Sequence, residues 1–189
     1  MADDAEKKLE EQEKHLLAES EVSLVLNSYE DIFSDFDPRP FSGRALSVDF
    51  LDEAKRATRE IKPGVFELRF LIPAAHRRLD REAIIKKRLK EHFKKHAEIL
   101  EKEKSKIVRQ GVYFVVVGLV FMLVAAFVLY HYHNVMSLLK EMLVVMLEPG
   151  GWFLFWEGLD LIIFKSKVIK PDLEFYKKMT KAEIIFTHY

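Results

Sequence analysis

From Gln110 to Leu139 the chain carries no Asp, Glu, Lys or Arg, and within that stretch Val112–Tyr130 reads VYFVVVGLVFMLVAAFVLY. No other feature limits the possible folds as strongly. Nineteen residues at a helical rise of about 1.5 Å make roughly 28 Å, close to the hydrocarbon thickness of a bilayer. The segment has no polar face, so a buried core helix is the poorer reading. A transmembrane helix is expected over 111–131.

A second apolar stretch, Glu141–Phe164, reads EMLVVMLEPGGWFLFWEGLDLIIF. It is long enough to span, but it holds Glu148, Pro149, Gly150, Gly151, Glu157 and Asp160. Proline lacks an N–H and glycine is a weak helix former, so a kink or break is expected at 149–151. Either one bent helix crosses, or a half-helix precedes the break and Trp152–Phe164 follows it. The expected fold class is a mainly α membrane protein: a two-helix transmembrane hairpin over 111–131 and 141–164 with a loop at 132–140, a long amphipathic stalk helix over 80–110, and a small cytosolic α/β unit over 21–79. A charged arm over 1–20 and a C-terminal helix over 165–189 complete it.

Orientation follows from the basic residues. Lys102, Lys104, Lys106 and Arg109 precede the first span, and Lys165, Lys167 and Lys170 follow the second, while the loop carries Lys140 alone. Positive residues stay inside, so both termini are expected in the cytosol. We favour a bacterial or archaeal inner membrane over an organelle. The neutral total charge hides an asymmetry along the chain. Residues 1–50 hold 13 acids against 5 bases, and residues 51–110 hold 18 bases against 10 acids. A basic run leading into an apolar segment is a membrane-surface signal. No nucleic-acid-binding motif accompanies it. There is no cysteine, which excludes disulfide and thiol chemistry.

In the soluble part, Val22–Asn27 is a strand candidate and Ser28–Ala45 a loop. Ser47 is placed to cap a helix carrying Phe50, Leu51, Ala54, Ala57 and Ile61, which Pro63 and Gly64 end. Val65–Ile72 alternates Phe66, Leu68 and Phe70 with Glu67 and Arg69, the pattern of a half-buried strand. Two strands and one helix are marginal alone, so completion by a second copy or by a cytosolic protein partner is expected. Asp80 is placed to cap the stalk, whose narrow stripe Ile85, Leu89, Phe93, His96 and Leu100 resembles a coiled-coil seam. After Phe164 the chain is expected to turn at Pro171, with Asp172 capping a last helix, DLEFYKKMTKAEIIF.

No catalytic constellation is present, and the chain is read as a non-enzyme without cofactors. His92 and His96 stand at i, i+4, a spacing that can hold a metal, but a histidine pair without that role is the better reading. His131 and His133 read as loop, and Asp31, Asp35 and Asp37 lack the spacing of a calcium loop. The sharpest candidate is Glu148. A carboxylate in an apolar stretch is expensive unless it faces water, pairs, or binds a cation. Alternatively it lies at the outer interface, with Pro-Gly-Gly as the hairpin turn.

Glu148-Pro149-Gly150-Gly151-Trp152-Phe153 resembles the E-P-x-x-Tyr/Trp-Phe signature of mitochondrial calcium uniporter pore subunits, and Asp172-Leu173-Glu174-Phe175-Tyr176 is similar to a tract near that family's C-terminus. The family's Trp-Asp, four and three residues before the glutamate, is replaced here by Val144 and Val145, and the Gly-Gly is foreign. The resemblance implies a homo-oligomeric cation channel with Glu148, Pro149 and Trp152 along the pathway and Glu157 and Asp160 as further acids of the second span. The alternative is a non-conducting scaffold, anchored in the bilayer, whose α/β unit recruits a protein.

Overall fold

The computed structural model describes residues 21–59, 61, 64, 66–134 and 136–188; the arm expected over 1–20 lies outside them, as does Pro63. Three short strands form one parallel sheet in the order β1 (Glu21–Val25), β2 (Glu67–Ile72) and β3 (Glu183–His188). Helix α1 (Val48–Ala57) connects β1 to β2. Ser47 precedes it as expected, but its side chain makes no capping bond. The helix stops at Ala57, and Thr58 follows, with its hydroxyl on the Ala54 carbonyl at 2.7 Å.

Register explains the sheet. Val22, Leu68 and Ile184 share one rung, and Leu24, Phe70 and Phe186 another. All six are buried. A period of two turns each strand's alternate residues to one face, so matched registers stack their apolar side chains into a continuous surface. Phe50 of α1 and Ile85, Leu89, Phe93, Phe175 and Met179 from the longer helices join the same core. The Phe70 and Phe186 ring centroids are 5.2 Å apart.

Two expectations are corrected here. The last helix does not run through Phe186. Helix α4 (Ser166–Lys181) ends, and Glu183–His188 becomes β3, whose Glu183 N–H donates to the Phe66 carbonyl at 2.8 Å. The chain itself therefore adds a third strand, beside β2, to the two expected. Pro171 does not turn the chain either; it lies inside α4. Lys178 of α4 donates to the Ile61 carbonyl at 2.6 Å, satisfying a backbone acceptor beyond the end of α1.

The expected stalk and first span are one helix, α2 (Leu79–His131), of 53 residues, beginning one residue before Asp80. Next comes α3 (Leu138–Asp160), which continues through a π-helical turn at Leu161–Lys165 into α4. Pro149, Gly150 and Gly151 lie within α3 without ending it, so of the two expected alternatives the single helix is the one that forms. Of the described residues, those up to Ala97 and from Glu174 onward form one compact unit, and Glu98–Leu173 the other. Among them, α2 is the one helix long and apolar enough to cross a membrane, and 11% of its most apolar 18-residue window is buried. That low burial separates it from the covered core helix of a soluble domain. Helix α3, with its acids, does not meet the same test.

Candidate functional site on the second apolar helix

Within the second unit, α2 and α3 touch through glycine. A Cβ added at Gly118 would lie 2.6 Å from the Gly151 oxygen and 2.7 Å from the Phe155 nitrogen. One added at Gly158 would lie 2.6 Å from the Gly111 oxygen, and one at Gly151 would lie 2.9 Å from the Gly118 oxygen. These are backbone-to-backbone approaches with no room for a side chain, the means by which small residues let apolar helices close up. Gly111 and Gly118 are seven residues apart, as are Gly151 and Gly158. The next heptad positions, Ala125 on α2 and Val144 on α3, are also buried. This seam accounts for the unbroken helix: Gly151 serves close approach, and the packing offsets the weak helix-forming tendency of the Pro-Gly-Gly run.

The seam fixes an antiparallel register, Gly111 beside Gly158 and Gly118 beside Gly151. Glu148, three residues before Gly151, is therefore level with Phe121, and a Cβ at Gly150 would find the Phe121 ring at 4.0 Å. Phe121 is the midpoint of Val112–Tyr130. Glu148 thus stands at the centre of the apolar height, roughly 14 Å by helical rise from either end. The hairpin-turn reading of Glu148-Pro149 is corrected by this register, because the chain reverses between the end of α2 at His131 and the start of α3 at Leu138 instead.

Three residues rotate a helix by about 300°, so Glu148 projects from the flank of α3, about 60° from the seam. It is exposed and makes no hydrogen bond or ion pair among the described residues. Pro149 beside it is exposed too and, lacking an N–H, leaves the Val145 carbonyl without its helical donor. Glu148, Trp152, Trp156 and Asp160 form an i, i+4 row. The two indoles stack at 6.5 Å, and Trp152 and Trp156 are 49% and 60% exposed. The row sets the unpaired Glu148 carboxylate at one end of an aromatic ladder on the exposed flank of α3.

The remaining acids form a separate group. Lys165 approaches Glu157 at 3.1 Å and Asp160 at 3.4 Å, so both acids are paired, at the end of the apolar height marked by Gly111. They lie nine and twelve residues from Glu148, too far to share a cation with it. The other sequence candidates resolve into structural roles. Asp31 accepts from the N–H groups of Asn27 and Ser28, and Asp37 accepts from Arg39 and the Ala45 N–H. Those donors, Arg39 foremost, hold the Asp37 carboxyl well below the usual carboxylate range. His133 has its Nδ1 3.2 Å from the Tyr130 carbonyl oxygen, and His131 stacks on Phe127.

His92 and His96 stack at 3.9 Å, and His96 stacks in turn on Tyr176 at 5.2 Å. Burial, reinforced by the charges of His96, Arg88 and Lys95, pushes the His92 pKa down to about 4. The pair is part of the packed contact between α2 and α4. Sequence reading missed the glycine seam, although its signal, two glycines seven apart in each of two apolar segments, was present. No protein-family model, curated protein or solved structure matches the chain.

Proposed function

We propose that α2 and α3 cross a bilayer as a hairpin, and that several copies of the chain gather the Glu148 flank of α3 around a cation pathway. One observation carries the reading: an unpaired carboxylate halfway along the apolar height. In lipid such a group is costly, and it is retained where it faces water, a partner or an ion. Rings of carboxylates select cations by charge and by replacing hydration. The seam with α2 occupies the neighbouring face of α3, leaving the row Glu148, Trp152 and Trp156 for contact between copies. The E-P-x-x-Trp-Phe signature, similar to that of uniporter pore subunits, falls on this same flank.

The cysteine-free chain makes the test direct. Glu148→Cys is compared with Met146→Cys, two residues away and so about 200° around the helix. In reconstituted full-length protein, a charged, water-soluble thiol reagent should modify position 148 and spare 146, because only a hydrated thiol ionises to react. Equal inertness at both positions, or a monomer by mass in mild detergent, would overturn the proposal.

A further inference from the structure

The first unit holds a cationic groove that the pathway reading does not use. A cavity of about 540 Å³ is lined by Glu30, Arg39, Phe41, Arg44, Asp80 and Arg81 among others. A second, of about 300 Å³, shares Glu30, Phe41 and Arg81 with it and adds Tyr29, His76 and Arg78. Together they make a groove in the size range of small-molecule sites. Four guanidinium groups and a histidine face two carboxylates there.

The pairings leave a surplus. Arg39 is held by Asp37, with Nη2 to Oδ2 at 2.7 Å. Arg44 is paired with Glu30 and donates through Nε to the Ser34 carbonyl at 3.0 Å. Arg78 and Arg81 make no ion pair among the described residues, and Asp80 is the sole lining acid left near them. Arg81 lies over the Phe41 ring at 5.9 Å.

The backbone beneath these arginines is fixed by a buried network. Tyr29 Oη donates to Glu82 Oε1 at 2.9 Å, Arg77 grips both Glu82 oxygens at 2.9 Å, and the Arg78 N–H donates to Tyr29 Oη at 2.9 Å. Glu82 is consumed by Arg77 and Tyr29 and offers nothing to Arg78 or Arg81. Exposed arginines without an ion-paired carboxylate, set on a backbone held at Arg78 and beside an aromatic ring, match a bidentate acceptor with an attached planar or apolar part.

We propose that this groove binds a phosphate-bearing ligand, the phosphate meeting Arg78 and Arg81 and the remainder lying on Phe41. The chemistry is shared by soluble nucleotides and phosphorylated lipid headgroups, and the proposal stands independently of the cation pathway.

The test titrates full-length protein in detergent with ATP and with inorganic pyrophosphate, and in parallel with vesicles containing a phosphorylated inositol lipid. Saturable binding is expected, weakened at least about tenfold in Arg78→Gln/Arg81→Gln. Both side chains are exposed, so the melting temperature should not move. Phe41→Leu should weaken ATP more than pyrophosphate. Binding to ATP that the double variant abolishes assigns a soluble ligand. Binding to the vesicles alone, lost in the same variant, assigns a headgroup. Binding that survives the double variant, or none of the three probes binding at about 1 mM, would overturn the site.

Discussion

Replacing Gly118 by alanine should destabilise the α2–α3 contact, whereas the same change at Gly150 should stabilise it. A methyl at Gly118 meets the Gly151 oxygen at 2.6 Å and the Phe155 nitrogen at 2.7 Å, neither of which can rotate away, and ordinary contact begins at 3.4 Å. The helices must therefore part by about 0.8 Å, which weakens each dispersion contact along the seam by about a quarter to a half. Overpacking of this kind costs about 1–3 kcal/mol. Alanine returns about 1 kcal/mol through its better helix propensity, so the net loss is about 0–2 kcal/mol. At Gly150 the methyl finds only the Phe121 ring at 4.0 Å, so the propensity gain stands alone. The two variants should differ by about 1–3 kcal/mol. The assay is unfolding in mixed micelles followed by tryptophan fluorescence, since both tryptophans, Trp152 and Trp156, lie on α3. A Gly118→Ala protein as stable as Gly150→Ala would refute the seam and the depth it assigns to Glu148.

Other outcomes follow from the first unit. Phe186→Ala, which empties a fully packed rung of the sheet, should cost about 3–5 kcal/mol in urea unfolding of the full chain. Tyr29→Phe removes one buried hydroxyl from Glu82 and from the Arg78 N–H and should cost about 1–3 kcal/mol by the same measurement. His92 has a folded pKa of about 4 against an ordinary value of 6.5, so the unfolded chain takes up its proton first. Its contribution is complete above pH 6.5 and is lost as pH falls towards 4, on the order of 3 kcal/mol in all. His92→Phe should flatten that part of the stability–pH curve.

Local pattern was a good guide where structure is local. The alternation of Phe66, Leu68 and Phe70, the helical spacing of Phe50 and Ala54, and the uncharged run from Gln110 all mark the elements that form there. It failed where a distant segment decides. Glu183–His188 follows a helix, and its partner β2 lies more than a hundred residues earlier, so nothing near Ile184 and Phe186 announces a parallel rung. Pro149 and Pro171 disfavour a helix by their intrinsic chemistry, yet both sit inside helices that tertiary packing sustains. Val144, where the uniporter signature carries tryptophan, is buried one heptad before Gly151 on the seam line. Glu148 was legible as the unusual residue. Its depth was not, because depth is set by the register of α3 on α2, which no single segment encodes.

The central claim is that Glu148 lines a cation pathway, and cation flux into liposomes holding the full-length protein tests it most directly. Wild-type protein is expected to pass a cation, with Glu148→Gln abolishing the flux at equal reconstitution and unchanged oligomer mass. Wild-type liposomes that pass none of the common monovalent and divalent cations, or a Glu148→Gln protein that conducts as well as wild type, would contradict the account.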